Sequence, residues 1–121
     1  MSKTVMIVDD SASLRQVVNI ALTGAGYKVI EACDGKDALT KLSGDKINLI
    51  ISDVNMPNMD GITFVKELKK LPTYKFTPVI MLTTESQEGK KAEGQAAGAK
   101  AWVVKPFKPD QMLAAVSKLV A

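Results

Sequence analysis

Short, wholly apolar runs alternate along this chain with longer stretches in which apolar residues recur at helical spacing. Val5-Met6-Ile7-Val8, the segment Ile47 to Ser52 around Leu49-Ile50-Ile51, and Val79-Ile80-Met81-Leu82 show no polar alternation, which predicts strands buried on both faces. Tyr27 to Cys33 and Ala101 to Val104 supply two more strands. Between the first pair, Leu14, Val17, Val18, Ala21 and Leu22 mark one face of a helix that Ser11 can cap and Gly26 can stop. After an Asp34-Gly35 turn, Ala38, Leu39 and Leu42 give a short helix, broken at Gly44-Asp45. Ile62, Val65 and Leu68 mark a third helix, closed by Pro72, and Met112, Leu113, Val116, Leu119 and Val120 build the last one. A further helix over 86–98 has a small-residue face of Ala92, Ala96 and Ala97. Gly89 and Gly94 weaken it by about 1 kcal/mol each relative to alanine.

Five strand–helix units predict an α/β fold with a parallel sheet covered on both faces. Right-handed crossovers then collect the carboxyl ends of the strands along one edge. With 121 residues and no repeat or linker, the expectation is a single domain, 1–121, with no output domain attached. No apolar run approaches the ~20 residues of a membrane span, so membrane insertion is not expected. Met1 leads straight into a strand, so no signal peptide is expected. Cys33 is the sole cysteine; it rules out an internal disulfide, suits the cytoplasm, and reads as a small buried hydrophobe.

Charge and chemistry change the picture at two points. The net charge is +3, but Lys36, Lys41, Lys66, Lys69, Lys70, Lys90 and Lys91 are scattered over helical faces, so nucleic acid is not expected as a partner. The chain contains no histidine. Any site must be built from carboxylates, hydroxyls, lysines and backbone.

Such groups stand at the ends of the strands, where open α/β sheets bind ligands. The first strand ends at Asp9-Asp10, the third at Asp53, the fourth at Thr83 and the fifth at Lys105. Singly, each has a bland reading as a cap, a turn, a strand end or surface. Together at one edge they converge if the first strand lies between the second and third. Carboxylates at ~4 Å repel by about 4 kcal/mol per pair at an effective dielectric of ~20. Lys105 offsets part of this, and Mg²⁺, which takes oxygen ligands and keeps positions for a phosphate oxygen, suits the remainder. A carboxylate beside a metal and a lysine can act as a nucleophile toward phosphorus, with the Thr83 hydroxyl on a phosphoryl oxygen.

Val8-Asp9-Asp10-Ser11, Ser52-Asp53-Val54-Asn55-Met56-Pro57-Asn58-Met59-Asp60-Gly61, Leu82-Thr83-Thr84 and Val104-Lys105-Pro106-Phe107 resemble the bacterial response-regulator receiver family, over essentially the whole chain. The stand-alone chemotaxis regulators of that family are the nearest in pattern. The resemblance implies a flavodoxin-like, doubly wound five-stranded sheet of order 2-1-3-4-5. It implies that Asp53 takes a phosphoryl group from a phosphohistidine on a sensor histidine kinase. Mg²⁺ would be held by Asp10, the Asp53 carboxylate and the Asn55 carbonyl, with Asp9 acting through water. Thr83 and Lys105 would contact the phosphoryl group, Lys105-Pro106 would be cis, and Trp102 would be the switch aromatic. Thr84, Asn55 and Glu85 would tune loss of the phosphate. The partners implied are the kinase, a protein target such as a flagellar motor switch, and a phosphatase. The chain would act as a monomer that catalyses its own phosphorylation and dephosphorylation, with no separate substrate turnover.

Two departures stand out: Trp102 replaces the more common tyrosine, and Thr84 a smaller residue. Other readings stay open. Within the family these are a phosphate sink and a non-motility relay. Outside it, a carboxylate-nucleophile phosphatase would place its Asp-x-Asp after the first strand, whereas Asp9 and Asp10 are adjacent. A flavin or nucleotide module would put a Gly/Ser/Thr-rich turn there, and a purely structural interaction domain has no use for the converging carboxylates.

Overall fold

Every predicted apolar run becomes a strand. A computed structural model describes residues 3–44, 46–84 and 95–120. Strands β1 (Thr4–Val8), β2 (Lys28–Ala32), β3 (Leu49–Asp53), β4 (Val79–Thr83) and β5 (Ala101–Val104) form one sheet in the order β2-β1-β3-β4-β5. All four pairings are parallel. This is the flavodoxin-like, doubly wound topology expected above.

Alternation along the strands divides the core in two. Met6, Val8, Ile50, Val79 and Met81 point to one face, under α2 (Gly35–Lys41) and α3 (Gly61–Lys69), where they meet Ala38, Ile62, Phe64, Val65 and Leu68. Val5, Ile7, Leu49, Ile51, Ile80 and Leu82 point to the other, under α1 (Ala12–Gly24) and the C-terminal helix α4 (Pro109–Leu119), where they meet Val18, Leu22, Met112 and Val116. Strands buried on both faces need no polar alternation, which explains their sequence. Among the described residues no helix is long and apolar enough to cross a membrane.

The helix ends follow side-chain chemistry. Ser11 caps α1 by accepting from the Leu14 N–H, Asp34 caps α2 from Asp37, and Asp60 caps α3 from Thr63. Residues 95–97 are helical; positions 86–94 of the helix expected over 86–98 lie outside the described residues, as do Glu85, Lys90 and Lys91.

Three expectations are corrected. Val17 is 51% exposed rather than on the buried face of α1. The buried line runs through Val18 and Leu22, four residues apart, and Val17 lies off its flank. Ile47 is buried but precedes β3, which begins at Leu49. Cys33 is exposed, because it follows the last residue of β2, a strand at the edge of the sheet.

Candidate functional site

The register of the sheet brings the candidate residues to one rim. Val8 pairs with Ser52, Asp53 with Leu82, and Thr83 with Val104, so the chain leaves β1, β3, β4 and β5 at nearly the same level. Asp9 and Asp10 follow β1, Asp53 and Thr83 are the last residues of β3 and β4, and Lys105 follows β5.

Carboxylate oxygens of Asp9, Asp10 and Asp53 all lie within 4.8 Å of one another. Asp9 is fully buried, Asp53 nearly so, and Asp10 is exposed. The Lys105 ammonium bridges two of them, at 3.1 Å from Asp9 Oδ2 and 3.2 Å from Asp53 Oδ1. The other Asp9 oxygen accepts from the Ser11 N–H at 2.9 Å. Asp53 Oδ1 also accepts from the Val54 N–H at 2.9 Å, which leaves Oδ2 outside that pair of bonds.

Electrostatics record the crowding. Burial pushes the Asp53 carboxyl above the usual carboxylate range and the Asp9 charge pushes it further, against the pull of Lys105 and the Val54 N–H. For Lys105, burial favours the neutral amine, but the Asp53 and Asp9 charges outweigh it and hold the ammonium above its ordinary value. Three carboxylates facing one ammonium call for a further cation. An all-oxygen donor set that is partly open to solvent fits Mg²⁺ better than a softer metal.

The remaining residues also fall at this rim. The Thr83 hydroxyl, almost buried, donates to the Thr84 carbonyl at 3.1 Å. The Lys105 N–H donates to the Thr83 carbonyl at 2.6 Å, tying the ends of β4 and β5. The Lys105-Pro106 bond is cis, as expected. Asn55 is exposed, two residues beyond Asp53. Trp102 is half-buried against the α2–α3 side of the core, and its buried indole N–H has no partner among the described residues. A groove of about 580 Å³ opens beside the cluster, between Leu14 and Val17 of α1 and the Lys105-Pro106-Phe107 turn, with Ser11 and Thr84 at its edge.

The residue and pairing patterns together decide the family. Residues 5–117 match the response regulator receiver domain. The chain belongs to the response regulator receiver family. It is 37% identical to the chemotaxis protein CheY of Thermotoga maritima over 121 residues, covering 98% of each chain. It is 37% identical to protein PilG of Pseudomonas aeruginosa, covering 93% of this chain and 83% of that one. The solved structure of Vibrio cholerae CheY4 superposes with a TM-score of 0.94 at 48% identity, covering 99% of this chain and all of that one. Other relatives are longer: the chain spans 48% of a probable transcriptional regulator of Cyanophora paradoxa. Receivers of two-component systems generally bind Mg²⁺ at an acidic pocket, and phosphorylation is general to them.

Sequence reasoning passed over three supports of this receiver site. Arg15 donates to the Asp9 backbone carbonyl and pairs with Glu31 of β2 at 3.1 Å. Gly61 is the first residue of α3, one position before the Ile62 that marked that helix in the sequence, and packs onto the Asp53 carbonyl. Asn58 donates to Asp34 at 2.8 Å. A lone arginine one turn past a helix cap, and an asparagine in a Pro-Asn-Met-Asp-Gly loop, were the signals available.

Proposed function

We propose that this receiver takes a phosphoryl group from the phosphohistidine of a sensor kinase onto Asp53, in a Mg²⁺-dependent reaction, and then controls a protein target, in chemotaxis. The observation that carries the reading is the cluster of Asp9, Asp10 and Asp53 within 4.8 Å, bridged by Lys105. Asp10, the Asp53 carboxylate and the Asn55 carbonyl would hold the metal directly, with Asp9 acting through water. Bound Mg²⁺ supplies charge neutralisation for the incoming phosphoryl oxygens.

The chain's own groups do the rest. A carboxylate oxygen of Asp53 attacks phosphorus; the O–P bond forms as the P–N bond of the donor breaks, and the electron pair leaves on the imidazole nitrogen. Lys105 stands next to Asp53 to balance charge on the transferred group, and Thr83 can turn its hydroxyl from the Thr84 carbonyl toward a phosphoryl oxygen. The groove walled by Leu14, Val17, Pro106 and Phe107 would offer a donor imidazole an apolar surface beside the cluster. Trp102, on the strand that ends beside Lys105, would report the change to the target, with Thr84, Asn55 and Glu85 setting the lifetime of the acyl phosphate. The protein would work as a monomer in the cytoplasm. The chemotaxis assignment is supported by the likeness to CheY of T. maritima and CheY4 of V. cholerae, and a flagellar switch is the target it suggests.

The test uses the sole tryptophan. Mg²⁺ is titrated into wild type and Asp53→Asn, an acyl phosphate is added, and Trp102 fluorescence is followed alongside the intact mass. Wild type should respond to the metal and gain one phosphoryl group; Asp53→Asn should gain none. A wild-type protein that stays unmodified in saturating Mg²⁺ and donor refutes the reading.

A further inference from the structure

Asn58 is the one non-glycine residue with a positive φ, 67°, among the described residues. It sits at the apex of a tight three-residue turn, closed by the Met59 N–H donating to the Pro57 carbonyl at 2.7 Å. Turns of this hand are strained, and they persist only where the surroundings hold them. Glycine would meet the backbone requirement as well as asparagine does. Asparagine adds a donor, and the structure uses it: Nδ2 donates to Asp34 Oδ2 at 2.8 Å.

Asp34 is well placed to hold it. The carboxylate is almost buried, and its other oxygen accepts from the Asp37 N–H at 2.7 Å as the cap of α2. A backbone bond runs beside the side-chain one, from the Gly35 N–H to the Met59 carbonyl at 3.3 Å. The loop after Asp53 is thereby fastened to the β2–α2 turn, 24 residues earlier in the chain. At its roots the loop is fixed by the Val54 N–H on the Leu82 carbonyl, 3.1 Å, and the Gly61 N–H on the Val54 carbonyl, 2.8 Å. Between root and clasp lie Asn55, Met56 and Pro57, the first and last exposed.

We propose that Asn58, clasped by Asp34, is a positioning residue for Mg²⁺. It holds the segment carrying the Asn55 carbonyl in one conformation, and so sets the affinity for Mg²⁺ and the preference for Mg²⁺ over Ca²⁺ without touching the ion. This rests on the metal reading above. Mg²⁺ demands near-ideal octahedral placement of its oxygens, whereas Ca²⁺ accepts variable geometry. A slack loop therefore penalises Mg²⁺ more than Ca²⁺.

The experiment is calorimetric titration of MgCl₂ and of CaCl₂ into wild type, Asn58→Gly, Asp34→Ser and the double variant, with metal-free urea unfolding in parallel. Asn58→Gly keeps the positive φ and removes the donor. Asp34→Ser keeps a helix cap and is too short to reach residue 58. Groups that orient metal ligands commonly change affinity by 10- to 100-fold; for this partly buried clasp, which does not touch the ion, each single variant should weaken Mg²⁺ about three- to tenfold, and Ca²⁺ by no more than about twofold. The double variant should bind no more weakly than the weaker single one, because one bond has been removed twice. Asn58→Gly binding Mg²⁺ like wild type overturns the inference. So do equal losses for both ions, or single-variant losses that multiply in the double. Wild type that takes up no Mg²⁺ overturns the metal reading itself, whereas wild-type uptake with unaltered variants overturns this inference alone.

Discussion

Replacing Gly61 by alanine tests whether α3 is held at contact distance from the Asp53 backbone. Gly61 needs no unusual φ; what it needs is space. A Cβ built there falls 1.9 Å from the Asp53 carbonyl oxygen, 2.9 Å from the Asp53 carbonyl carbon and 2.9 Å from Met81 Cε. The methionine tip can give way, but the carbonyl belongs to the end of a central strand. Clearing it requires a backbone shift of roughly 1 Å, at a site where the next residues are tied by the bonds from the Val54 N–H to Leu82 and from the Gly61 N–H to Val54. Overpacking of this kind costs about 1–3 kcal/mol, and loosening those two hydrogen bonds adds about 1 kcal/mol each. The stiffer unfolded chain returns at most about 1 kcal/mol. The net loss is about 2–4 kcal/mol, or a fall of roughly 10 °C in Tm for a domain of this size. Urea unfolding followed by Trp102 fluorescence and far-ultraviolet circular dichroism reads it directly. A loss under about 0.5 kcal/mol, the usual range for a neutral surface change, would show that the close approach is not a constraint.

Gly24→Ala should act in the opposite direction: the residue closes α1, has no positive φ and has nothing within 4 Å of an added Cβ, so the same urea assay should show a gain of about 0.5–1 kcal/mol. Lys105→Met should destabilise the metal-free protein by about 1–3 kcal/mol, a figure reduced from that of a fully buried pair because the lysine is partly exposed, and added Mg²⁺ should narrow the gap to wild type. Asp34→Asn should flatten the acid limb of stability. The Asp37 N–H and then Asn58 hold the Asp34 carboxyl below its ordinary value of 3.8. Its contribution is therefore present above that pH and lost as the pH falls through the lower folded value, so wild type and variant should converge in acid unfolding curves.

What could be read from the sequence was whatever depends on neighbours in the chain. β1, β3 and β4 are apolar throughout because both faces are covered, and that pattern is visible without coordinates. The acidic and hydroxyl residues closing those strands were visible for the same reason. Strand order was not; it came from resemblance, since periodicity says nothing about which strand lies beside which. The misreadings share one cause. Val17 fits a helical face by spacing, but the stripe that meets the sheet is narrower than the apolar stripe on the helix. Cys33 lies past an edge strand, and edges are a property of the assembled sheet. The clasp between Asn58 and Asp34 joins residues 24 apart, and the crowding at Gly61 exists only once α3 lies against β3.

On the proposed function, the charges at the rim explain how the site would serve as a switch rather than as a rigid structural feature. Three carboxylates and one ammonium leave two negative charges in a partly buried place, which one divalent cation would neutralise. Burial and Asp9 already push the Asp53 carboxyl upward, the direction that disfavours its charged form. On the proposed chemistry, a phosphoryl group on Asp53 replaces a single negative charge by about 1.5 to 2 and carries it further from the strand end. Lys105 then has a stronger partner than Asp9, whose bridge it can leave. The Lys105 N–H is bonded to the Thr83 carbonyl, so a shift of that lysine is felt by both strand ends at once, and Trp102 lies three residues back along the same strand. A change of about one charge unit at the rim thus has a short covalent and hydrogen-bonded route to the aromatic on β5, with no need for the sheet itself to deform.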